Sequence, residues 1–78
     1  MSALNLIRDR LNDLIARSGD MKNTYVKYIK ENGPLHKDFV AYSTQYREDM
    51  AMMDTAISNL RWVIFELEEE KRLAELHI

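Results

Sequence analysis

Seven side chains near the middle of the sequence could together hold a ligand: Lys22, Tyr25, Lys27, Tyr28, Lys30, His36 and Lys37. Lysine ammonium groups attract anions, and tyrosine faces stack on planar rings. The set therefore suits an anionic ligand carrying a planar base, such as a nucleotide. Helix starts near Asp20 or Pro34 would add backbone N–H donors to such a site. In the plainer account, Tyr25 and Tyr28 are half-buried and the lysines keep the surface solvated.

No other group of residues forms a recognisable reaction centre. Gly19 and Gly33 are the only glycines, so no glycine-rich phosphate loop exists. Ser43 and Thr44 have no histidine beside them in sequence, although His36 lies one stretch of helix away. Glu48, Asp49 and Asp54 project from one segment, but the Glu-x-x-His spacing of di-metal carboxylate bundles is missing. His36 and His77 are far apart, and the absence of cysteine excludes both disulfides and thiolate-held zinc. The sequence reading is a non-enzymatic protein with no metal and no cofactor.

The elements that carry these residues read as helices. From Pro34 to Ile78 there is no internal proline or glycine. Apolar residues recur there as Phe39, Tyr42, Tyr46, Met50, Met53, Ile57, Leu60, Ile64 and Leu67, in steps of three and four. That is the spacing of one continuous amphipathic helix with a nearly heptad seam, placed at about 35–76. Upstream, Ser2 is a candidate N-cap, and Leu4, Ile7, Leu11, Leu14 and Ile15 form a stripe. Arg17, Ser18 and Gly19 can end that helix, and Asp20 can cap a second one carrying Met21, Tyr25, Tyr28 and Ile29. The segments 3–18 and 20–32 are thus two helices or one helix with a soft spot at Gly19. Asn32-Gly33-Pro34 is the hairpin corner, since proline cannot continue a helix but is tolerated in the first turn of the next.

The expected fold is all-α: a single helical domain over 1–78, in which a short arm folds back on one long helix. Forty-odd residues of helix span roughly 60 Å, whereas a compact chain of this length has a radius of gyration near 12 Å. The rod must therefore protrude, break or pack on a neighbour. Leu60, Trp62, Val63, Ile64, Phe65 and Leu67 wrap most of its circumference, so one side can meet the arm while the other needs a second partner. The candidate interface is Met50, Met53, Ile57, Leu60, Trp62, Ile64, Phe65 and Leu67, with Leu73, Leu76 and Ile78 as a further docking edge.

Charge points the same way. The net charge is −2, which invites neither nucleic acid nor an anionic membrane. Residues 1–38 carry seven basic and five acidic groups, while residues 39–78 carry four basic and eight acidic. This polarity would favour antiparallel or head-to-tail contacts between copies; the plainer account is a solvated surface. No apolar run is long enough for a signal peptide or a membrane span, and the chain reads as cytoplasmic. The short arm, the Gly33-Pro34 corner and the long arm resemble small secretion-system needle subunits and their helical co-chaperones. They also resemble small phage-encoded hairpins that assemble into rings and sequester signalling nucleotides, where Arg47, Glu48 and Trp62 echo an Arg-Glu pair upstream of a tryptophan. Neither likeness extends to a specific motif, and no family is assigned. The leading expectation is an assembly module that is a homo-oligomer or binds a helical partner. The alternative is a small-ligand binder, a phage inhibitor of host defence among the settings it fits.

Overall fold

The computed structural model describes residues 2–76, which form two helices, α1 (Ala3–Asn32) and α2 (Phe39–Leu76), packed antiparallel as a hairpin. His77 and Ile78, named above, lie outside the described residues.

α1 is one unbroken helix, so Gly19 does not divide it. Its start is fixed by Ser2, whose hydroxyl accepts the Asn5 N–H at 3.1 Å. Half-buried or buried residues then run Leu4, Ile7, Leu11, Leu14, Ser18, Met21, Tyr25, Tyr28 without a missed step. That heptad phase passes on either side of Gly19, which is exposed and points no Cβ at any neighbour. Seam packing on both flanks offsets the ~1 kcal/mol that glycine costs a helix. Lys30 sits in the last turn, where its charge meets the carbonyl end of the helix. Gly33 closes α1 with φ 75°, and its N–H donates to the Ile29 carbonyl at 2.8 Å.

The second helix begins at Phe39 rather than near Leu35, and the corner is correspondingly longer, from Gly33 to Asp38. Local hydrogen bonds account for the difference. His36 N–H donates to the Gly33 carbonyl, and the His36 ring Nδ1 accepts the Asp38 N–H at 3.2 Å. A side chain that captures a backbone donor two residues on competes with the helix. Asp38 then serves as the residue before the first turn, its carbonyl accepting Tyr42 N–H at 2.9 Å. Pro34 therefore lies in a turn and not in a helical first turn.

α2 meets α1 along Phe39, Ser43, Tyr46, Met50, Met53, Ile57, Leu60, Ile64 and Leu67. The seam thus passes through Ser43, with Tyr42 on its flank. Leu14 and Ile57 are the buried apolar residues, and Ser43 is the buried polar one, among the described residues. Six residues of the candidate interface, namely Met50, Met53, Ile57, Leu60, Ile64 and Leu67, lie on this face toward α1, buried or half-buried. An ion pair between Arg8 and Glu68 marks how far the arm reaches along the rod. Beyond it Leu73 and Leu76 are exposed. The molecule measures 64 × 18 × 14 Å with a radius of gyration of 18.3 Å, well above the roughly 12 Å of a compact chain of this length.

Candidate functional site

Of the seven candidate ligand residues, the fold brings three together. Tyr25 and Tyr28 on α1 interleave with Tyr42 and Tyr46 on α2 in a ladder of nearly parallel rings. Tyr46 stacks on Tyr25 at 4.0 Å, and Tyr28 stacks on Tyr42 at 3.9 Å. Tyr25 and Tyr42, 5.9 Å apart, join the two pairs. His36 closes the corner end of the ladder edge-on to Tyr28. The ladder exists because tyrosines four apart on α2 meet tyrosines three apart on α1, on adjoining faces of two helices.

Its polar atoms are mostly used internally. The Tyr25 hydroxyl lies 2.6 Å from Ser43 Oγ, so the buried serine and a half-buried phenol satisfy each other. The Tyr28 hydroxyl lies 3.3 Å from His36 Nδ1, and acceptance of the Asp38 N–H by that nitrogen places the ring proton on Nε2. Partial burial raises the Tyr28 pKa, with the Asp38 carboxylate and the Tyr42 and Tyr25 phenols adding to the effect. These groups tie the corner to the helices, which is a structural task.

Lys22, Lys27, Lys30 and Lys37 are all exposed, and Lys27 lies within 3.9 Å of Glu31. None lines the cavity of about 320 Å³ beside the ladder. That cavity is walled by Tyr42, Tyr46, Met21 and Thr24 and rimmed by Asp20, Gln45 and Asp49, so its charge is negative. The arrangement does not gather cations around the aromatic rings in the way an anion site would. Among the described residues no group of His, Cys, Asp or Glu is placed to hold a metal ion.

The other candidate surface lies on the far side of α2. Trp62 is 62% exposed and Phe65 55% exposed, and the rings contact each other edge to face at 5.9 Å. Ala51, Thr55, Ser58, Trp62 and Phe65 repeat in steps of four and three, a second heptad phase. At 3.6 residues per turn this phase lies roughly opposite the seam. All five are exposed, and none of the five is charged. Upstream of the aromatic pair, Ala51, Met52, Thr55, Ala56 and Asn59 line a shallow hollow of about 440 Å³. Next to the pair, Ser58 and Arg61 complete a second concavity of about 370 Å³. Further along the same phase Glu69 and Arg72 pair at 2.9 Å. The Arg72 hydrogen bond, and then its charge, lowers the Glu69 pKa, while the same contact raises that of Arg72.

The sequence signal for Trp62 and Phe65 was their bulk on the wrong side of the seam. The small residues that share their phase carried no signal by hydrophobicity, only by spacing. No described helix is long and apolar enough to cross a membrane, so this apolar surface is not part of a membrane-spanning helix. Comparison with family models, with curated proteins and with solved structures finds no match for this chain.

Proposed function

We propose that this chain is a non-enzymatic helical assembly module that self-associates through the outer face of α2. The observation that carries this reading is the exposed Trp62–Phe65 pair. Large aromatics bury 150–250 Å² each when covered, so the exposed part of the pair offers roughly 250 Å², or about 6 kcal/mol. Association costs about 4–15 kcal/mol in lost freedom, so one pair alone would be marginal. A contact in which each copy contributes its pair doubles the apolar area and brings the balance into a favourable range.

Surface area supports the same reading. The chain exposes 6268 Å², against about 4,900 Å² for a globular protein of its mass. A stable interface needs about 800 Å² from each partner, which the excess supplies. The small core favours it as well: a hairpin with two buried apolar side chains among its described residues has little to hold it, and covering a second face adds burial.

Trp62 is the one tryptophan of the chain, so its fluorescence reports this face alone. At tens of micromolar the emission is expected at short wavelength, moving to longer wavelength as dilution separates the copies. Emission typical of water-exposed indole at every concentration would overturn the reading.

A further inference from the structure

We infer that two copies pack α2 against α2 antiparallel about a two-fold axis near Ser58, with the Trp62–Phe65 pair of each seated over Ala51 and Thr55 of the other. This rests on the self-association proposed above and adds its geometry. The outer phase carries a large pair and a small pair on one line. Trp62 and Phe65 stand out; Ala51 and Thr55 are small and form one edge of the hollow, which continues round the helix to Met52, Ala56 and Asn59. The two features are centred about ten residues, or roughly 15 Å, apart along the helix. Ser58 lies midway, with Thr55 and Trp62 on either side of it and Ala51 and Phe65 beyond.

That order makes the face complementary to itself in one direction only. Antiparallel, Phe65 meets Ala51, Trp62 meets Thr55, and the Ser58 side chains meet near the axis. Large residues then face small ones at each step, and each contact occurs twice, as a two-fold interface requires. Parallel and in register, indole would oppose indole and the hollow would oppose the hollow, leaving voids that dense packing does not tolerate.

Charge selects the same direction. In the antiparallel register Glu69 approaches Arg47 of the second copy. Arg47 is exposed and forms no ion pair among the described residues. Arg72 is exposed and Glu69 half-buried at the surface, and their pair can be shared with a neighbour. A parallel register would set Glu69 against its own copy and Arg72 against its own, which is repulsive. Excess area and self-complementary shape thus name a second copy of this chain as the occupant.

The chain has no cysteine, which makes single-cysteine variants clean reporters. Arg47→Cys and Glu69→Cys are prepared separately and treated, alone and mixed, with a bismaleimide of roughly 10 Å reach, the spacing of packed helices. The mixed sample is expected to give a covalent dimer of one chain of each kind, and either variant alone to stay uncrosslinked. Crosslinking of Glu69→Cys by itself would show a parallel pair and overturn the inference. So would an uncrosslinked mixture whose light scattering still reports a dimer, because assembly would then use another face. Monomers at every concentration would instead overturn the self-association on which the geometry rests.

Discussion

On one face of α2, Ser43, Tyr46, Met50, Met53, Ile57, Leu60, Ile64 and Leu67 advance by threes and fours and are covered by α1. On the opposite face Ala51, Thr55, Ser58, Trp62 and Phe65 advance by the same steps, and nothing among the described residues covers them. The inner face mixes side chains of graded size and holds Ile57 buried at its centre. The outer face separates small residues from large ones, so its shape is completed only by another surface. Spacing alone makes a face fit for a helical neighbour; the distribution of volume along it decides whether that neighbour is the chain's own arm or a different molecule.

The sharpest way to break the inner face is at Ile57. Ile57→Ala removes a buried side chain from the seam and should cost about 2–4 kcal/mol. A chain of this size has about 4–12 kcal/mol in all, so the midpoint of urea unfolding should fall steeply. An unchanged midpoint would show that the seam is not where the stability lies. Trp62→Ala addresses the outer face and should act differently. Helicity of the hairpin should persist at high concentration, while the concentration dependence of its melting disappears. Equal loss of helicity in both variants would mean that the two faces form one cooperative unit.

Smaller changes sharpen the comparison at the corner end. Ser43→Ala strips the Tyr25 hydroxyl of its partner and should cost about 1 kcal/mol by denaturant titration. Tyr25→Phe added to it should recover part of the loss, since both polar groups are then gone. Gly19→Ala should stabilise by about 0.5–1 kcal/mol, because α1 is continuous there and the added methyl meets open space. A loss of stability on that change would mean the helix is interrupted at Gly19.

The weakest effect is in pH. The folded Glu69 pKa is depressed, so its contribution is present above the unfolded value of 4.5 and is lost as pH falls through the folded one. The folded Tyr28 pKa is raised, so its contribution is present below 10.0 and is lost as pH rises through the folded value. Melts should therefore fall more as pH rises above 10.0 in the native chain than in Tyr28→Phe, a difference readable by circular dichroism.

Much of this was legible from residue order. The all-α hairpin, the break at Gly33 and the outward bulk of Trp62 and Phe65 all follow from periodicity and from glycine and proline chemistry. The continuity of α1 was also present, in the phase Leu14, Ser18, Met21, but a serine in a seam carries no hydrophobic mark. Ser43 was hidden for the same reason, and Tyr42 stood in its place because the tyrosine is the more apolar of two adjacent residues. The late start of α2 depends on where the His36 ring directs its lone pair, which residue type alone does not fix. The lysines near the tyrosines were adjacent in sequence, yet a helix spreads them into solvent while the carboxylates of Asp20 and Asp49 arrive at the ladder from different helices.

Molar mass by light scattering over a hundredfold range of concentration bears on the central claim most directly. The account predicts at least twice the single-chain 9.2 kDa for the native protein at the upper end, and 9.2 kDa for Trp62→Ala throughout. A native chain that stays at 9.2 kDa across the whole range, and still melts cooperatively, would contradict it.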